Sequence, residues 1–295
     1  MNFLKGLALS LLSFLFLLSL SIFGLALTLN QTILNPDFTI SEVDRLDIPS
    51  LAEEFLGEQI PPDEGYLAEA LSDTITDLEP WIKEQVHAGI YTSYDYFLGR
   101  SQSLSLVIPT KPVRDSLKDN LREAILESPP PELEGASLSQ IELYLAQAYR
   151  EIDEMLPQEF EFDESSLTPE VRAQVEQVRQ GIGYFQLGYK IVIGFILLLI
   201  LGIVLINRQV KGATRGIGIP FLTCGALSYI GTFVAKYLAQ TQLTRLDIPA
   251  WLQTWFPQFL DNFLAPLEIF SIGLLVAGIA LIIVSFVYKP RQASF

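Results

Sequence analysis

The sequence predicts a mainly α-helical membrane protein: four transmembrane helices plus an extracytoplasmic helical domain, with a small two-stranded β element, inserted between spans 1 and 2. Three observations predict it. Apolar residues make up 50% of the 295 residues and are bunched into runs long enough for a hydrocarbon layer of ~30 Å, which takes about 20 helical residues. The acidic residues are bunched too: residues 30–188 hold 31 of the 34 Asp and Glu against 10 Lys and Arg, about −21 in a chain whose net charge is −15. Finally, threading the chain through four spans puts Lys5, Arg208, Lys211, Arg215, Lys289 and Arg291 on one side with no acidic residue among them. By the positive-inside rule that side is cytoplasmic, so both termini are expected inside and residues 30–186 outside the cell membrane.

The expected organisation is transmembrane helix 1 over 1–29, an acidic α-rich domain over 30–186, helix 2 over 187–207, helix 3 over 217–238, an outer interfacial segment over 239–265 and helix 4 over 266–288. The first apolar run, Phe3 to Leu29, exceeds the 7–15 residues usual for a signal-peptide core and lacks a small-residue cleavage site, so an uncleaved helix is favoured. After it, NPDF reads as an extended turn. Ser41 with Asp44, and Ser50 with Glu53, look like N-caps.

Gly65 to Leu78 reads as one helix, with Leu67, Leu71, Ile75 and Leu78 on one face. A second starts at Glu79-Pro80-Trp81, proline suiting a first helical turn, and ends at Gly99. Ser101 to Pro109 alternates apolar and polar, as a half-buried strand does. Lys111 to Glu127 and Leu138 to Leu156 are helical. Glu159 to Asp163 (EFEFD) alternates again and is expected to pair with the first strand in a hairpin-like sheet. Thr168 then caps a helix, with Pro169 in its first turn. That helix is expected to run unbroken to about Asn207, its outer part closing the acidic domain through Val171, Val175, Val178 and Ile182. Trp251, Trp255, Phe256, Phe259 and Phe263 belong at a membrane–water interface. RLDIP occurs at both 45–49 and 245–249, which reads as two related halves, as two similar helix starts or as coincidence.

Composition excludes several functions. One cysteine, Cys224, permits neither an intramolecular disulfide nor a Cys-based zinc site. The acidic excess opposes nucleic acid and anionic lipid as ligands of residues 30–188. His87, the single histidine, has Glu84 and Tyr91 near it on its helix but no accompanying catalytic motif, and reads as a rim residue. The carboxylates Glu151, Asp153, Glu154 and Glu159, Glu161, Asp163, Glu164 lack the spacing of a calcium loop and read as a solvated face. Tyr91 and Tyr96 are the freer members of an aromatic group with Tyr94 and Phe97, and form the candidate binding surface. Gly181, Gly183 and Gly188 are candidate hinge or packing positions. Small-residue rows at Cys224/Ser228/Thr232, Gly231/Ala235 and Gly273/Ala277 suggest close helix packing. The span centres carry no ionisable residue, unlike those of ion-coupled transporters; Lys190, Lys236 and Glu268 lie at outer ends.

The stretches NPDF, PPDEGYL, EPWIKEQV, YDYFLG, SLSLVI and PVRDSLKDNL, between about Asn35 and Ile125, resemble an uncharacterised family of prokaryotic multi-pass membrane proteins with a large extracytoplasmic helical domain. The resemblance implies architecture and no activity, cofactor or catalytic residue. The expected function is therefore that of a non-enzymatic envelope scaffold or binding protein. Its expected partners are the lipid bilayer and an envelope protein or a second copy, with no nucleic acid and no cofactor. The alternative is a channel or transport component whose acidic domain attracts cations.

Overall fold

A computed structural model describes residues 2–49, 65–207, 209–243 and 249–287. Among them the chain is mainly helical: α1 (Asn2–Gln31), α2 (Pro36–Val43), α3 (Gly65–Phe97), β1 (Ser105–Pro109), α4 (Lys111–Glu127), α5 (Leu138–Met155), β2 (Glu159–Asp163), α6 (Pro169–Asn207), α7 (Val210–Leu243) and α8 (Ala250–Val287). Four helices are long and apolar enough to cross a membrane: Lys5–Gln31, Pro169–Asn207, Val210–Leu243 and Trp251–Val287. The chain forms two compact units, one of Met1–Thr39 with Gln180–Phe295, the other of Ile40–Arg179.

In the acidic unit, α3, α4 and α5 share a core of Ala70, Leu121, Ala124, Ile125, Leu133 and Leu145. Helix α3 runs unbroken through Pro80, where two helices were expected. The apolar stripe explains it: Leu71, Ile75, Leu78, Ile82 and Val86 keep helical spacing across the proline and are all half-buried, so packing along the stripe offsets the lost hydrogen bond. Gly99, at φ 74°, ends the helix as expected. Its N–H donates to the Tyr96 carbonyl at 3.1 Å and that of Arg100 to Asp95 at 2.8 Å, the paired bonds of a Schellman cap.

Strands β1 and β2 pair antiparallel with Leu106 opposite Phe162 and Ile108 opposite Phe160. They are not a hairpin, because α4 and α5 lie between them in the chain. Thr110 closes the junction, its N–H and hydroxyl both donating to the Gln158 carbonyl at 3.0 Å.

Three further expectations are corrected. NPDF is not an extended turn: Pro36 opens α2, and Asn35 Oδ1 accepts the Asp37 N–H at 3.1 Å, so asparagine and proline act as N-cap and first-turn residue. Ser41 therefore lies inside α2 rather than capping a helix. The outer segment expected over 239–265 is not separate from the spans: α7 extends to Leu243, and from Ala250 onward the chain is continuous with the last span in α8 despite Pro257 and Pro266. Ser50, Pro61, Pro62 and the second RLDIP stretch up to Ile248 fall outside the described residues.

In the membrane unit Phe16, Leu20, Leu199, Ile203, Cys224 and Leu274 form one cluster, to which α1, α6, α7 and α8 all contribute. The buried positions of α8 are Leu264, Leu267, Ser271, Leu274, Gly278 and Ser285. Their spacing of three and four up to Gly278, then seven to Ser285, keeps one phase, that of helices packed at about 20° along a shared seam. On α7 the seam is lined by Gly218, Gly225 and Thr232, seven residues apart.

Candidate functional site

Side-chain chemistry gathers at three places. The first, in the acidic unit, joins the turn after α2 to α3. His87 Nε2 lies 2.7 Å from Asp44 Oδ1, with both side chains part-exposed. One turn earlier on α3, Lys83 Nζ contacts Glu79 Oε1 at 2.7 Å. That hydrogen bond outweighs a small desolvation cost and, with the Glu79, Asp44 and Asp47 charges, raises the Lys83 pKa above its ordinary value. Glu42 on α2 is buried and pairs with Arg45 at 2.9 Å; desolvation raises its pKa, and the Arg45 charge opposes the rise. His87 is thus a rim residue, but its partner Asp44 lies 43 positions away, beyond the reach of helical spacing.

The second place surrounds Tyr96. Five residues separate Tyr91 from Tyr96, which sets them about 140° apart around a helix. Tyr91 is exposed, whereas Tyr96 is only 4% exposed, so the expected shared binding surface does not form. The Arg179 guanidinium instead stacks over the Tyr96 ring at 4.5 Å, and its Nη2 donates to the Ser101 carbonyl at 3.2 Å. Tyr96 Oη reaches Glu176 at 3.5 Å. Val171 and Val178, expected to close this unit, are exposed at 41% and 53%. The start of α6 is fastened by a cation–π contact and hydrogen bonds rather than by those valines.

The third place lies between α7 and α8. Lys236 Nζ bridges Asp261 at 3.0 Å and Glu268 at 2.7 Å. The two carboxylates are seven residues apart and so share one face of α8. Hydropathy alone hides this clamp, although that spacing is visible in the sequence. Nearby on α8, Phe259 stacks with Trp255 at 4.9 Å and with Phe263 at 6.0 Å, and meets Phe38 of α2 at 6.0 Å.

The glycines divide in the same unit. A Cβ at Gly225 would lie 2.7 Å from the Ser271 carbonyl oxygen, and one at Gly278 2.8 Å from the Leu222 nitrogen. At Gly181, Gly183 and Gly188 nothing lies within 4 Å among the described residues, and the same holds for Gly231 and Gly273. Close packing against the first helix is therefore not the role of these three; on α6 it falls to Gly202, where a Cβ would lie 2.9 Å from the Leu12 side chain. Of the expected rows, only Cys224 and Thr232 are buried in the seam, which runs through glycines that the four-residue pattern passed over.

Three carboxylates of the two acidic groups are held by other groups of the chain. Asp153 binds Lys118 at 2.6 Å, Asp163 caps the turn after β2, and Glu164 Oε1 accepts the Leu104 N–H at 3.2 Å. Among the described residues no group of three or more His, Cys, Asp or Glu is gathered as a metal cage. A shallow crevice of about 220 Å³ between α4 and α5 is lined by Arg122, Glu142, Leu145, Ala146 and Tyr149; desolvation chiefly raises the Tyr149 pKa. No protein-family model, curated protein or solved structure matches the chain.

Proposed function

We propose that this protein is a non-enzymatic membrane scaffold or binding protein. Four spans hold both termini in the cytoplasm and present the acidic unit on the far side of the cell membrane to an envelope protein or a second copy of the chain. The resemblance to the prokaryotic multi-pass family belongs to the same proposal.

The observation that carries it is how polar chemistry is used. In the acidic unit the clustered side chains hold elements together: His87 with Asp44, Arg179 with Tyr96, Lys118 with Asp153. Much of the remaining carboxylate surface faces solvent, which favours solubility and the choice of basic partners. Crosslinking of the full chain in native membranes tests the reading. A discrete adduct with one envelope protein, or with a second copy, is the expected result; absence of any adduct across several crosslinker lengths overturns it.

A further inference from the structure

We propose that the membrane unit holds an anionic phospholipid in a crevice between α1 and α7, with the lipid phosphate on Arg215. The inference rests on reading these helices as membrane spans, and it does not depend on what the acidic unit binds.

The crevice is about 320 Å³ and is lined by Ser13, Phe14 and Leu17 of α1 and by Arg215, Gly216, Ile219, Pro220 and Thr223 of α7. Its position along α7 sets its depth. Arg215 and the clamp residue Lys236 are 21 residues apart, about 32 Å at 1.5 Å per residue, which is the thickness of a hydrocarbon layer. If Lys236 marks one headgroup region, Arg215 marks the other. From Arg215 the crevice extends to Thr223, about 12 Å toward the bilayer centre, along Phe14, Leu17, Ile219 and Pro220. Phe14 and Ile219 are exposed at 56% and 46%, so the crevice opens toward lipid.

The polar groups suit an anion at its mouth. Arg215 and Lys211 are exposed, and neither has an ion pair among the described residues. The described acidic residues of this unit are Asp37, Asp261 and Glu268, and two of these are held by Lys236, a bilayer thickness away. Ser13 supplies a second donor. Ser19, Ser21 and Thr28 of α1 all donate to the carbonyl four residues back, whereas the Ser13 hydroxyl has no hydrogen bond among the described residues. A planar cationic fork at headgroup depth, above an apolar furrow, matches a phosphodiester above an acyl chain.

The test uses the full chain, delipidated in detergent and re-exposed to equal amounts of phosphatidylglycerol and phosphatidylcholine with identical acyl chains. Retained lipid is then counted by native mass spectrometry. The wild type is expected to keep phosphatidylglycerol in preference. Arg215→Gln should lower that retention about fivefold, the worth of one basic group at an anionic interface. Lys211→Gln, outside the crevice, should leave it nearly unchanged, and Thr223→Trp, which fills the furrow, should lower retention of both lipids. Equal retention of the two lipids by wild type overturns the inference, since binding would then be an adventitious apolar contact. Equal losses in Arg215→Gln and Lys211→Gln overturn it as diffuse charge attraction, as does a Thr223→Trp variant that keeps its lipid. A failed search for a protein partner would leave these results untouched.

Discussion

Helices α7 and α6 are both long and apolar, yet they are used differently. Helix α7 meets α8 along a seam where Gly218, Gly225 and Gly278 let backbones approach, and Lys236 ties the pair near one end. Helix α6 buries Leu199 and Ile203 in the shared cluster, and exposes Ile191, Leu197, Leu198, Leu201 and Leu205. Lipid is as apolar as leucine, so apolarity alone cannot pull membrane helices together; close van der Waals packing and polar contacts can. The difference between α7 and α6 is therefore set by where small and polar residues fall, not by hydropathy.

The largest test of that difference is Gly225→Leu. Its side chain would enter the space of the Ser271 carbonyl and Leu275, both backbone-anchored. A loss of about 3 kcal/mol, the upper end of overpacking, is expected in thermal unfolding of the detergent-solubilised chain. Lys236→Met should cost about 1 kcal/mol, because Asp261 and Glu268 would lose the charge between them. The loss should shrink in the Asp261→Asn, Glu268→Gln background. If Lys236→Met is neutral in both backgrounds, the clamp is ornamental. Gly188→Ala is the converse test on α6. With nothing within 4 Å, alanine should raise stability by about 0.5–1 kcal/mol through helix propensity. A loss instead would mean that the glycine serves as a hinge or meets another chain.

The acidic unit gives the smallest and most specific effect. Hydrogen bonds from the Ser165 and Ser166 hydroxyls, with the Ser166 and Ser165 backbone N–H groups, hold the Asp163 pKa below the usual 3.8. A lowered folded pKa contributes stability that is present above the unfolded value and lost as pH falls through the folded one. The wild type should therefore lose stability slightly faster than Asp163→Asn below about pH 4. Parallel acid titrations of the two would contradict the assignment.

Much of the architecture was legible because it is local. The Lys111–Glu127 helix, the EFEFD strand, the Gly99 cap and the helix ending at Asn207 all follow from periodicity and capping chemistry. What escaped needed either phase or distance. Pro80 suits a helix start by its own chemistry, and only the common phase of the apolar stripe on both sides of it marks it as interior. Tyr96 lies about 140° around the helix from Tyr91, a difference of phase that aromatic composition does not display. Asp44 with His87, and Lys236 with Asp261, are tertiary pairs that no single helix reveals. Gly181, Gly183 and Gly188 are conspicuous by composition, while the glycines that make close contact, Gly202, Gly218, Gly225 and Gly278, are those that face a partner helix.

The central claim is that the acidic unit and the basic helix ends lie on opposite sides of a membrane. In a Cys224→Ser background, Ser139→Cys in the acidic unit and Thr214→Cys beside Arg215 can each be exposed to a membrane-impermeant maleimide in intact cells. The account predicts that Ser139→Cys is labelled without lysis and Thr214→Cys only after it. Labelling of Thr214→Cys in intact cells, with Ser139→Cys protected until lysis, would contradict it.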